Sequence, residues 1–331
     1  MIRERFIGKG AIMGALAALS LVFSTGQAVA DDGAMAQATY VGEKACISCH
    51  ETESKHFAHT QHAKIFRQNP KNDVEKQVCE ACHGPGSLHA KKTKDKTLII
   101  GFTKEWGTPQ KVMNGQCLNC HSGEQRINWP GSTHDLNKLA CSDCHNPMAK
   151  FSASGLLKKP SITETCQTCH QQQRDEFKKR SHMPVHEGKM SCEDCHNPHG
   201  SPTKPLLKAN SVNELCYTCH AEKRGPLIWE HAPVRENCLN CHLPHGSNND
   251  KLLITARPML CFNCHNSSGG HPSGIRNQSQ LAQYLTRDPV TGLPVNGTGA
   301  AFDERTVAHS CNNCHSQIHG SNHPSGIYFQ R

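Results

Sequence analysis

All twenty cysteines of this 331-residue chain fall into ten copies of one pattern, Cys-x-x-Cys-His. The first cysteines are Cys46, Cys79, Cys117, Cys141, Cys166, Cys192, Cys216, Cys238, Cys261 and Cys311. The second are Cys49, Cys82, Cys120, Cys144, Cys169, Cys195, Cys219, Cys241, Cys264 and Cys314. The closing histidines are His50, His83, His121, His145, His170, His196, His220, His242, His265 and His315. No cysteine is left over for a structural disulfide. Two thiols and an adjoining imidazole on one short turn are the attachment signature of c-type haem. The thiols add across the porphyrin vinyl groups as thioethers, and the imidazole reaches the iron from one side. Zinc ribbons need paired Cys-x-x-Cys knuckles without an obligatory trailing His, and a thioredoxin-like site occurs once per domain. Ten copies of ten therefore imply ten covalently bound haem c groups, with the closing histidines as proximal iron ligands.

The rest of the composition agrees. Beyond residue 30, Leu, Ile, Val and Phe make up about 16% of the residues, under the ~20% below which a chain cannot bury enough apolar surface to order itself. A conventional globular enzyme with its own large core is excluded, and the porphyrins must supply the interior. The formal charge is +8. Its lysines and arginines are scattered, apart from a short run at Lys91, Lys92, Lys94 and Lys96 that reads as a solvated loop, so no nucleic-acid partner is expected.

Residues 1–30 read as a signal peptide. Arg3, Arg5 and Lys9 precede an apolar stretch from Ala11 to Ser24, and Ala28-Val29-Ala30 forms a small-x-small cleavage site. The stretch is shorter than the ~17–25 residues needed to span a bilayer, and no later segment is apolar enough to cross one. Export to the periplasm is the expectation, with residues 31–331 as one decahaem cytochrome c domain.

Fourteen histidines lie outside the motifs, more than ten irons need as sixth ligands. An internal repeat of roughly 48 residues, covering about 134–180, 182–230 and 231–270, selects among them. His134, His182 and His231 occupy one equivalent position before alternate motifs, and His199 and His245 a second position after them. In the first unit that second position is Met148, a candidate thioether ligand. His62, His89 and His271 are further candidates by spacing, and His319 and His323 are both plausible. His56, His59, His186 and His309 are read as non-ligands. The pairs Leu156-Leu157, Leu206-Leu207 and Leu252-Leu253 are expected to pack on porphyrin faces.

About 30 residues per haem can only wrap the porphyrins. The expected fold is a multihaem cytochrome c: mostly loops and short α-helices around a chain of ten stacked haems, with little or no β-structure, in an elongated rod. A slightly longer helix is expected over Thr163 to Lys178, and a surface loop over Arg276 to Arg305.

Four stretches carry a resemblance: Cys192-Glu-Asp-Cys-His-Asn-Pro-His-Gly200, Cys216-Tyr-Thr-Cys-His-Ala-Glu-Lys-Arg-Gly225, Trp229-Glu-His-Ala-Pro233 and His319-Gly-Ser-Asn-His-Pro-Ser-Gly326. With the ten motifs in order, the chain resembles the MtrA/DmsE family of periplasmic decahaem c-type cytochromes, the MtrA, MtoA and PioA type. The resemblance implies a rod of haems inside an outer-membrane β-barrel porin, with the haem at His50 facing the periplasm and the haem at His315 facing outward. It implies electron exchange with periplasmic or inner-membrane cytochromes at one end, and with an outer-surface cytochrome or extracellular iron at the other. The family usually has His where this chain has Met148. The function that follows is a transmembrane electron wire, for Fe(II) oxidation or metal reduction. The alternative is a soluble periplasmic electron shuttle. A multihaem enzyme is disfavoured, because all ten motifs end in His and spare ligands exceed need; Fe(II) or Fe(III) could still react at an exposed terminal haem.

If the porphyrins are the core, the chain without them stays unfolded. Limited proteolysis of protein made without haem loading is expected to degrade it throughout, whereas loaded protein resists.

Overall fold

A computed structural model of the chain describes residues 35–265 and 311–330. The expected signal peptide, the 276–305 loop, His271 and His309 lie outside the described residues. Among the described residues there are no β-strands, only isolated antiparallel bridges. The helices are short, and the longest, Gln110–Leu118, has nine residues.

The motifs alternate between two local structures. In one kind a short α-helix carries the first cysteine, and in two copies a serine caps its start. Ser161 accepts the Glu164 N–H at the start of Ile162–Gln167, and Ser211 accepts the Glu214 N–H at the start of Val212–Tyr217. Such caps satisfy the free N–H groups of the first turn. The closing histidine then leaves helical geometry, with φ/ψ of −86°/65° at His170 and −108°/51° at His220. A second short helix follows, Gln171–Glu176 after His170. The single helix expected over 163–178 is therefore divided in two: the chain breaks helical geometry at His170, the residue that closes the motif.

In the other kind the cysteines sit on a single tight turn, as in Cys192–Asp194 and Cys238–Asn240. The closing histidine continues into a one-pair bridge: His145 with Leu157, His196 with Leu207 and His242 with Leu253. Here the two members of each Leu pair do different jobs. Leu156, Leu206 and Leu252 adopt positive φ of 47°, 65° and 59°, a conformation that costs about 1–2 kcal/mol for a side-chain-bearing residue. Their carbonyls accept the N–H groups of Asn146, Asn197 and Leu243 at 2.6–2.8 Å. That turn directs Leu207 and Leu253 inward, where both are buried.

Side-chain clamps join one kind to the next. Asn114 Nδ2 donates to the Leu139 carbonyl while its Oδ1 accepts the Cys141 N–H at 2.8 Å. Asn213 repeats this, donating to Val234 and Arg235 and accepting from Cys238 N–H at 2.8 Å. Both amides are buried. At the amino-terminal end Glu80 does similar work from inside its motif. Its carboxylate, 3% exposed, accepts the N–H groups of Val41, Gly42 and Gly86 at 2.8–3.0 Å.

The polypeptide has almost no core of its own. Among the described residues, one small cluster of buried apolar side chains forms, Phe57, Ala63 and Val78, with Phe66, Cys79 and Met148 packed against it. Arg67 closes over it, bonded to Glu43 at 2.7 Å through Nε and lying 5.1 Å above the Phe57 ring. With so little apolar packing, the buried clamps matter more. Glu80→Ala leaves three backbone donors without their charged acceptor, and hydrogen bonds to charged groups contribute about 1.5–3 kcal/mol each. The expected loss is about 3 kcal/mol or more, read by denaturant unfolding of the loaded protein and by early proteolytic release of residues 35–45.

Candidate haem-binding sites

Five of the ten closing histidines are held ready by a backbone carbonyl. His83, His145, His196, His242 and His315 place Nδ1 on the carbonyls of Ile100, Gly155, Pro205, Lys251 and Tyr328, at 2.5–2.9 Å. A carbonyl only accepts, so Nδ1 carries the proton and Nε2 presents its lone pair. A metal-binding imidazole is oriented in this way by its outer partner. His134 and His231, outside the motifs, are tied identically to Pro198 and Ile318.

These rings meet others across the chain. Seven pairs form among the described residues, each joining one motif histidine to one histidine outside the motifs. They are His50 with His89, His121 with His62, His145 with His199, His170 with His134, His196 with His245, His242 with His319 and His265 with His231. Their ring centroids are 5.9–6.4 Å apart. An iron–imidazole bond of about 2 Å, with about 1.1 Å from nitrogen to ring centre, sets two axial imidazoles of one haem at about 6 Å. Both ring planes then contain the bond axis, so any angle between them is compatible. The observed angles run from 13° to 87°.

Other features fit the same group. His62, His89 and His199 bury an Nδ1 that has no partner in the protein, and so do the donors Trp129 Nε1 and Gln167 Nε2. Burying such a group unpaired costs about 1–3 kcal/mol, and a porphyrin with two propionates supplies acceptors of the right kind. Burial also keeps the imidazoles neutral, the form that binds metal. It holds His62, His83, His231 and His319 below the ordinary histidine range, and lowers His199 to about 4 with help from His145. Burial pushes the Cys79 thiol the other way, up to about 12. No two cysteines form a disulfide. Among the described residues no group of three or more His, Cys, Asp or Glu side chains is arranged to hold a bare metal ion.

The motifs also touch in order. First-cysteine thiols lie within hydrogen-bonding reach in the pairs Cys46–Cys79, Cys117–Cys141, Cys166–Cys192, Cys216–Cys238 and Cys261–Cys311. Cys82 is close enough to Cys120 for its charge to raise the Cys82 pKa, and the same holds for Cys144 with Cys169, Cys195 with Cys219 and Cys241 with Cys264. First cysteines therefore join the motifs in pairs, and the second cysteines of successive pairs lie near enough to influence one another.

Several candidates are placed elsewhere. His182 gives Nδ1 to the Lys179 carbonyl at 2.6 Å and Nε2 to Glu187 at 3.0 Å. With acceptors at both nitrogens it is drawn toward the cation, and its pKa is raised, chiefly by the Glu187 hydrogen bond. It is not paired with a motif imidazole; its ring neighbour is His186, at 6.3 Å. His323 is exposed, and its Nδ1 accepts the Ser325 N–H, so the proton sits on Nε2. Of the two terminal candidates the structure brings His319 to a motif ring. Met148 packs on the cluster that includes Cys79. His56 and His59 are exposed.

Sequence reasoning missed the glycines after the second-position ligands. Gly200, Gly246 and Gly320 follow His199, His245 and His319 with φ of 116°, 154° and 125°. A Cβ at Gly200 would lie 2.1 Å from the Asn128 carbonyl oxygen, and one at Gly246 would lie 1.9 Å from that of Glu176. The recurring His-Gly pair was the available signal.

Short helices and loops that set cysteine pairs beside facing imidazoles define a multihaem c-type cytochrome, an electron-transfer protein with covalently bound haem c. Two family models agree. The doubled CXXCH motif family matches residues 182–225 and 231–270, and the NrfB-like cytochrome c-type protein family matches 79–159. The multiheme cytochrome MtrA of Shewanella baltica (strain OS185) is 41% identical over 290 residues, covering 88% of this chain and 81% of that protein. The chain belongs to the MtrA family of multihaem cytochromes. Among solved structures, an undecaheme cytochrome from the S-layer of Carboxydothermus ferrireducens is 20% identical, with a TM-score of 0.16. That match covers 77% of this chain, which spans about a third of the other (32%).

Gly246→Ala is expected to force His245 away from His196 and to cost about 2–4 kcal/mol. Gly188, also at positive φ (69°) but with open space around it, is the control: Gly188→Ala should cost about 1 kcal/mol. Thermal unfolding of the two loaded variants checks the difference.

Proposed function

We propose that the protein is a decahaem electron wire that crosses the outer membrane inside a β-barrel porin. One haem is attached at each motif. The seven facing imidazole pairs supply both axial ligands for seven irons. The repeat assigns His182 to the iron at His220, once the ring turns away from Glu187. His271 and His323 remain the candidates for the iron at His315. Electrons hop between neighbouring haems, whose potentials follow from axial ligand, burial and nearby charge. The polypeptide spaces and insulates them.

The observation that carries this reading is the succession of neighbouring motifs in chain order, paired through their first cysteines and electrostatically coupled through their second. Ten haems in file, at roughly 10 Å each, reach about 100 Å, beyond the ~40–45 Å of a membrane with its headgroups. No helix among the described residues is long and apolar enough to cross a membrane. Lipid cannot satisfy loop backbone, so a chain of this kind needs a sheath to cross. A signal peptide and a periplasmic starting point complete the proposal. Partners are then periplasmic or inner-membrane cytochromes on one side and an outer-surface cytochrome or extracellular iron on the other.

Reconstitution tests it. Liposomes containing the protein in complex with an outer-membrane β-barrel porin from the same organism, and an encapsulated reduced dye, are expected to pass electrons to an external Fe(III) chelate. Liposomes with the barrel alone should not. Failure to co-purify with the barrel, together with no transfer, would leave the periplasmic shuttle as the function. A redox titration with Fe(II) and Fe(III) chelates then gives the workable direction.

A further inference from the structure

We infer that Met148 is the sixth ligand of the haem attached at Cys79 and Cys82, whose fifth ligand is His83, so that this iron carries one imidazole and one thioether. The inference rests on the haem-chain reading above and names the chemistry of its second site.

The register of the other sites assigns the partner. His199 follows the motif at Cys192 and faces His145, two motifs earlier. His245 follows the motif at Cys238 and faces His196, and His319 follows the motif at Cys311 and faces His242. The segment after the motif at Cys141 should by the same offset serve the motif at Cys79. The residue there is Met148.

The backbone at Met148 is built like that at His199. Asn146 Oδ1 accepts the Met148 N–H at 3.0 Å, as Asn197 Oδ1 accepts the His199 N–H at 3.1 Å. Asn146 and Asn197 in turn donate to the Leu156 and Leu206 carbonyls. The side chain then lies where the register puts it, packed with Cys79 on Phe57, Ala63 and Val78.

His83 is prepared as a ligand and lacks a facing imidazole. Its Nδ1–H goes to the Ile100 carbonyl at 2.8 Å, leaving Nε2 free. Its ring contact is the edge of Phe102 at 5.2 Å. His50 and His89, whose charges it senses, face each other. Met148 is thus the one donor among the described residues that register and packing both bring to this motif.

The neighbouring residue changes in step. Glycine follows His199, His245 and His319 so that the backbone can dock closely, but Ala149 follows Met148, buried and without positive φ. A methionine reaches further than a histidine through three rotatable bonds, so its backbone has no need of so close an approach. A thioether stabilises ferrous iron and raises the potential. The second haem becomes the first in the chain to take an electron.

Near-infrared absorption of the oxidised holoprotein tests this, with haem content and cysteine occupancy measured by mass spectrometry. An Fe(III)–thioether band at about 700 nm is expected at an intensity of one haem per chain. It should vanish in Met148→His, together with loss of the highest-potential step in a redox titration. His83→Met should shift the band, or abolish it if that iron is no longer loaded, whereas a thioether on any other iron leaves it unmoved. Ten haems with no such band overturn the inference and leave the wire reading intact. A band that survives Met148→His overturns it as well. Protein with ten motifs but no haem on Cys79 and Cys82 overturns both.

Discussion

The fold depends on a pair of imidazoles meeting from far apart in the chain. One sits at the end of a cysteine turn, and the other arrives from a segment tens of residues away. Burial lowers the pKa of at least one ring in six of the seven pairs, and where Nδ1 is tied to a carbonyl the orientation is set before any iron is bound. On the proposed reading each iron replaces contacts that an ordinary core would make. Its two axial bonds and two thioethers close several loops at once, and closing long loops removes much of the freedom of the unfolded chain. That is how so few apolar residues can hold one structure. The polypeptide contributes caps, clamps and close backbone approaches, such as Glu80 on Val41, Gly42 and Gly86, that position those bonds.

The alternation of joints follows from the two kinds of motif. A capped helix and a bridged turn place their cysteines differently, so successive motifs meet first through first cysteines and then through second cysteines. Asn114 and Asn213 hold the first kind of joint by accepting the N–H of the next motif's first cysteine. An electron path built in this way meets the same two steps repeatedly, and differences in potential must come from individual ligands and their surroundings.

The sequence made the local features legible and left the distant ones open. The cysteine turns, the two-motif repeat, the equivalence of His199 with His245 and the scarcity of strands all follow from short-range pattern. Pairing does not, because each partner lies many residues away and several histidines compete for each place. His319 and His323 look alike by spacing; the proton position set by Ser325 separates them. His182 looks identical to His134 by position, yet Glu187, five residues on, holds its Nε2. The helix expected over Thr163 to Lys178 failed at His170, where the motif closes and the backbone turns out of helical geometry. The clamps were missed because an Asn three residues before a cysteine looks like any surface amide until its buried partners are known.

His145, His196 and His242 each face a histidine that follows the motif two further on, whereas His121, His170 and His265 face histidines that precede them. At the start, His50 takes its partner from His89, directly after the next motif, and Glu80 fastens the leading segment down. The next site back in register meets Met148 in place of histidine. The segment after the motif at Cys311 gives His319 to His242. His315 is instead tied to the Tyr328 carbonyl in the closing turn, where Ile327 and Tyr328 remain 65% and 64% exposed. On the proposed reading the iron at His83 is the one set chemically apart, because the position that offers histidine to His145, His196 and His242 offers Met148 there, and a thioether raises the potential where an imidazole would not.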